Sequence, residues 1–134
     1  MTAHESTDTL YSRIGGHDGL RTLLTHFYAD VRQHAVIGPI FRARIQDWPA
    51  HIEKIAGFWS GLTGGPPMYG GGLMAKHMPL GLAEEHFGHW LTLWAFHCDQ
   101  HLASNDADML KALAHQIGGR LKQHTVHMNK RHDS

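Results

Sequence analysis

Apolar positions in this chain recur with a helical period and almost nowhere with a period of two. Leu20, Leu23, Leu24, Phe27 and Val31 fall on one face of a helix. His51, Ile55, Phe58 and Leu62 form a second row, with Ile52, Ile55, Ala56 and Trp59 beside it. Phe87, Trp90, Leu91, Trp94 and Cys98 form a third, and Leu110, Leu113, Ala114, Ile117 and Leu121 a fourth. No segment joins polar–apolar alternation to β-branched enrichment, so no strands are expected.

The breaks are equally legible. Gly15-Gly16 closes a short first helix holding Leu10, Tyr11 and Ile14, and Asp18 is the expected cap of the second. Gly38-Pro39 ends that second helix, and Ile37, Ile40 and Phe41 then suggest a short helical turn packed inward. Asp47-Trp48-Pro49 reads as a cap with proline in the first turn of a helix running to about Leu62. A long helix is expected from near Ala83, and Asn105 or Asp106 should cap the last one. The pattern predicts an all-α fold of five or six helices, one domain over residues 1–134 with its core at about 10–122. The polar ends, 1–8 and 127–134, are expected to be mobile.

One segment does not suit a simple bundle. Gly64 to Gly72 cannot continue a helix, yet it is short of hydrophilic side chains. Met68, Tyr69, Leu73 and Met74 must pack on something. The segment leads into His77, within Leu73-Met74-Ala75-Lys76-His77-Met78-Pro79-Leu80. His77 can be a loop histidine bonded to nearby backbone. It can also be the proximal ligand of a haem iron, since an imidazole in apolar surroundings suits that metal. Loop glycines let the backbone approach a flat cofactor. Met74, Met78 and Leu80 could pack on a porphyrin face, and Lys76 could pair with a propionate or stand in solvent.

Three more polar groups sit on apolar rows. Tyr28 lies near Leu24 and Val31, His51 heads the second row, and Trp90 lies between Phe87 and Trp94. Each can be a satisfied core residue. Each can also line the far side of one pocket, where a hydroxyl, imidazole or indole donor stabilises a partly negative diatomic ligand.

Composition narrows the partners. Lys plus Arg and Asp plus Glu are both 12, so no electrostatic footprint for nucleic acid or an anionic membrane is expected. No apolar run approaches the roughly 20 residues of a spanning helix, and residues 1–8 lack a signal-peptide core. A single cysteine, Cys98, excludes an internal disulfide framework and suits a reducing compartment. Cytoplasm is therefore the expected location. The 14 histidines make net charge sensitive between about pH 6 and 7, and most are expected on the solvated surface.

The order and spacing of several pieces resemble the truncated haemoglobins, the short bacterial form of the globin fold. The pieces are His26-Phe27-Tyr28, Gly38-Pro39-Ile40-Phe41, Trp48-Pro49-Ala50-His51-Ile52 through Phe58-Trp59, and His77-Met78-Pro79-Leu80 through Trp90-Leu91. The resemblance covers about Leu10 to Ile117. It implies a truncated helical sandwich around haem b, with His77 as proximal iron ligand and Tyr28, His51 and Trp90 lining the distal side. His51 is then the first distal residue of its helix and a candidate iron ligand itself. Phe41 matches the phenylalanine wedged against the porphyrin, and Lys76 the basic residue near a propionate. Trp48, Ile52, Ile55, Met68, Tyr69, Met74, Leu80, Phe87 and Ile117 complete the implied cofactor contacts. His51 and the stretch His77–Trp90 look like the third subgroup, whereas Gly15-Gly16 and Gly64-Gly65-Pro66-Pro67 look like glycine motifs of the first and second.

That resemblance implies binding of dioxygen, nitric oxide, carbon monoxide or cyanide, by a monomer or homodimer. It leaves room for nitric oxide dioxygenase or peroxidase-like turnover, with electrons from a separate reductase. Two rival readings stand beside it. The helical spacings His86/His89, His97/His101 and His124/His127 allow a non-haem transition-metal protein, with His97, Cys98 and His101 as one candidate grouping. The repeated Glu-x-x-His pairs of a di-iron bundle are missing after Glu53, Glu84 and Glu85. A cofactor-free helical interaction module would explain the rows but not the apolar Gly/Pro segment beside a histidine.

Overall fold

A single side chain sets the first helical turn: Thr9 Oγ1 accepts from Ser12 N at 3.0 Å and opens α1 (Leu10–Arg13). The computed structural model describes residues 9–66 and 84–117. The remaining helices are α2 (Gly16–Gln33), α3 (Gly38–Arg44), α4 (Trp48–Leu62), α5 (Glu84–His101) and α6 (104–117). No strand occurs among the described residues, and the fold is all-α. None of these helices is long and apolar enough to cross a membrane.

The turn from α1 into α2 depends on glycine. Gly15 sits at φ 98, a left-handed conformation that side-chain-bearing residues rarely adopt, and it occupies the cap position of α2 without a side-chain bond. Asp18 therefore does not cap this helix, contrary to the sequence expectation. It lies in the first turn and accepts from Arg21 at 2.7 Å. Pro39 occupies the first turn of α3, where its missing N–H costs nothing. Asp47 caps α4 through Ala50 N at 3.1 Å, with Pro49 in the first turn, as its sequence predicts.

α2 is the central helix. It packs on α4, α5, α3 and α1 through Leu20, Leu23, Leu24, Phe27, Tyr28 and Val31, all buried. The face opposite is aromatic. Trp59 stacks on Trp94 with centroids 4.9 Å apart, and Phe27 meets the edge of Trp94 at 5.1 Å. The Trp94 indole N–H donates to the Leu110 carbonyl at 3.2 Å, tying α5 to α6. Tyr11 N donates to Thr63 O at 2.8 Å and ties α1 to the end of α4.

Two further expectations need correction. Leu62, placed on an inward row, is 39% exposed, because α4 ends there and the row has run past the core. Asn105 and Asp106 do not cap α6. The helix starts at residue 104, and Asp106 instead accepts from Arg13 at 2.9 Å across to α1.

Candidate functional site

Four helices deliver the predicted distal residues to one place. α2 turns Tyr28 inward on the face that also buries Leu24 and Val31. The first turn of α4 presents Trp48 and His51, and α3 supplies Phe41. The Tyr28 ring meets His51 at 5.0 Å, Trp48 at 5.7 Å and Phe41 at 6.2 Å between centroids. Trp48 and His51 also meet edge to face at 5.9 Å.

Trp90 enters from α5. Its ring contacts Phe27 at 5.7 Å, and Phe27 in turn contacts Tyr28 at 4.9 Å. Burial drives the Tyr28 phenol far above its usual range, and the nearby Trp90 indole N–H partly opposes that rise. Tyr28 therefore keeps its O–H proton at any physiological pH. Trp90 Nε1 is buried and, although it lies near the Tyr28 hydroxyl, forms no well-made hydrogen bond among the described residues. An indole nitrogen can only donate, and a buried donor without an acceptor costs about 1–3 kcal/mol.

Two buried donors side by side, walled by Phe27, Phe41, Trp48 and His51, fit the distal side of a haem pocket. They suit a small, partly negative ligand that accepts from both. Ile55, Phe87 and Ile117 belong to the same buried cluster, and Ile52 packs against it while partly exposed. Ile52 and Trp48 also line an open groove of about 320 Å³ with Arg21, Thr25, Arg32, Pro49 and Glu53. The Arg32 guanidinium lies over the Trp48 ring at 4.8 Å. His77, Met68, Tyr69, Met74, Lys76 and Leu80 lie outside the described residues.

Among the described residues, no group of three or more His, Cys, Asp or Glu side chains could hold a metal ion. His97, expected on a solvated face, is only 5% exposed, and its Nε2 lies 2.6 Å from Asp30 Oδ2 on α2. His101 stacks on His26 at 4.8 Å, and His89 packs on His34 at 4.8 Å. His124 and His127 lie outside the described residues.

Sequence reasoning gave Phe27 no part in the site, although its ring joins Tyr28 to Trp90. Asp30 was likewise given no part, and His97 entered only the rival metal grouping with Cys98 and His101. The signal was there: His26 and Asp30 are four apart on α2, His34 follows four residues later as its C-cap, and His97 and His101 are four apart on α5. Only the antiparallel register of the two helices pairs them.

Comparison with known proteins gives two results. The family of bacterial-like globins matches residues 9–129. The chain is 34% identical over 82 residues to the Group 3 truncated hemoglobin ctb of Campylobacter jejuni. The alignment covers 58% of this chain and spans 65% of that relative's length.

Proposed function

We infer what this chain does from one premise: it belongs to the bacterial-like globin family and is a truncated haemoglobin, hence a haem-binding globin. We propose that the haem is haem b, that the ligands are dioxygen and other small molecules, and that the third subgroup is the nearest in kind. The haem supplies an iron that takes dioxygen, nitric oxide, carbon monoxide or cyanide. His77 is the residue proposed to hold it from the proximal side, with Lys76 beside a propionate.

The observation that carries the reading is the buried pair of donors. The Tyr28 hydroxyl and the Trp90 indole N–H are buried and close together, and the indole nitrogen forms no well-made hydrogen bond among the described residues. A ligand bearing partial negative charge gains most from donors fixed in place before it arrives and shielded from water. Such a pocket releases its ligand slowly, which suits scavenging or sensing better than bulk delivery. His51, against Tyr28 and Trp48, is proposed to border the ligand position and to be an iron ligand when no gas is present. Turnover of nitric oxide or peroxide is the further activity such a pocket would support, with electrons from a separate reductase.

Absorption spectra of the purified protein in ferric and ferrous states, with and without carbon monoxide, test the reading. A Soret band that shifts with carbon monoxide is expected, and His77→Ala should lose stable haem retention or the native spectrum. A colourless protein that takes up no added haem would overturn the cofactor. Unchanged haem content and spectrum in His77→Ala would overturn the ligand.

A further inference from the structure

The seam between α2 and α5 carries three polar rungs in antiparallel order. His26 stacks on His101 with centroids 4.8 Å apart, Asp30 meets His97 at 2.6 Å, and His34 packs on His89 at 4.8 Å. The outer rungs are ring contacts, and the central one is a short hydrogen bond between residues 67 apart in sequence. Its two ends differ in exposure: the His97 side chain is 7% exposed and that of Asp30 is 47% exposed.

The His97 ring is held through one nitrogen. Its Nε2 bonds Asp30, while Nδ1 is buried without a partner among the described residues. Removing the carboxylate would take away the one side-chain partner that fixes the ring, leaving it free to turn or leave its place. The ring is also a packing surface. It meets the edge of Phe27 at 6.1 Å, and Phe27 meets Tyr28, Trp90 and Trp94 at 4.9, 5.7 and 5.1 Å. Asp30 lies two residues beyond Tyr28 on α2, and His97 two turns beyond Trp90 on α5. Any slip of one helix along the other therefore alters the separation of the two donors.

We propose that Asp30 and His97 are positioning residues for the distal pocket, a clasp that sets where the Trp90 indole lies against the Tyr28 hydroxyl and thereby how firmly ligand is held. This rests on the reading of Tyr28 and Trp90 as ligand donors. The two residues act through Phe27 and the α2–α5 register and touch no ligand themselves.

The test uses the haem-loaded protein and compares Asp30→Ala, Asp30→Asn, Tyr28→Phe and the double variant Asp30→Ala/Tyr28→Phe. Three quantities are read: the dioxygen dissociation rate, the C–O stretching frequency of the carbon monoxide complex, and the Trp90 indole ¹H–¹⁵N resonance. Asp30→Ala is expected to speed dissociation about fivefold or more, the lower end of ordinary coupling between sites. It should also move the C–O stretch toward the Tyr28→Phe value and shift the indole resonance. Asp30→Asn keeps a carbonyl acceptor for the His97 N–H and should restore all three. In the Tyr28→Phe background, Asp30→Ala should add less than it does alone, because one of the two donors whose separation the clasp sets is already gone.

A clasp that only stabilises the fold would lower the unfolding midpoint while leaving the C–O stretch and the indole resonance in place, and that result overturns the proposal. Full additivity in the double variant overturns it as well. If Tyr28→Phe alone leaves dissociation unchanged, the donor reading fails, while the indole resonance still reports whether Asp30 positions Trp90.

Discussion

Tyr28 and His51 meet edge to face, with centroids 5.0 Å apart and ring planes at 79°. The contact joins the middle of α2 to the first turn of α4. It sets an imidazole against the phenol, whose hydroxyl also lies near the Trp90 indole. Because burial keeps Tyr28 protonated, its hydroxyl remains a donor across the working pH range.

Replacing either donor should therefore loosen the ligand. Tyr28→Phe and Trp90→Phe are each expected to raise the dioxygen dissociation rate about ten- to a hundredfold, since one such bond contributes roughly 1.5–3 kcal/mol. Stopped-flow displacement measures this. Because the groups adjoin, the double variant should fall short of the sum of the two effects. Unchanged rates in all three proteins would remove both residues from ligand stabilisation.

Two glycines should respond to alanine with opposite signs. A Cβ at Gly19 would stand 1.9 Å from the Ile14 carbonyl oxygen, so backbone must move where α1 turns into α2. Gly19→Ala is expected to destabilise by about 1–3 kcal/mol, as overpacking does. A Cβ at Gly88, inside α5, meets nothing within 4 Å. Gly88→Ala should stabilise by about 0.5–1 kcal/mol through lost freedom in the unfolded chain. Urea unfolding of the two variants measures both.

Cys98 should be inert in the native protein. It is fully buried, and burial together with Asp99 pushes its thiol up to about 12, against the opposing charge of Lys111. The thiolate is the reactive form. A disulfide reagent at pH 8 should consume no thiol until denaturant is added, and then one per chain. Rapid labelling of the folded protein would contradict this burial.

The α2–α5 seam should weaken in mild acid. Burial, then the neighbouring imidazoles His26 and His97, lower His101 below its ordinary 6.5. His101 thus gains its proton at higher pH in the unfolded chain than in the fold. Its contribution is complete above about 6.5 and is lost as pH falls through the lower folded value. The unfolding midpoint should drop between pH 7 and 5, and His101→Gln should flatten that drop. Glu53, held down by Arg21 and then His17, acts in a separate window below its ordinary 4.5. An identical pH profile in His101→Gln would show that this ring plays no part.

Local chemistry alone determined the helices and the residue types of the pocket. Helical periodicity, the Asp47 cap and the prolines at 39 and 49 act over a few residues, so they can be read along the chain. The same periodicity put Tyr28, His51 and Trp90 on inward faces. Tertiary structure decided how those faces meet. Phe27 bridges Tyr28 to Trp90, Asp106 serves Arg13 across to α1, and Leu62 is left in solvent where its helix outruns the core. The Asp30–His97 bond depends on the register of two antiparallel helices. Periodicity fixes which way a side chain faces but not which residue of another helix stands opposite. That choice follows from the crossing and sliding of packed helices, which depend on the whole core.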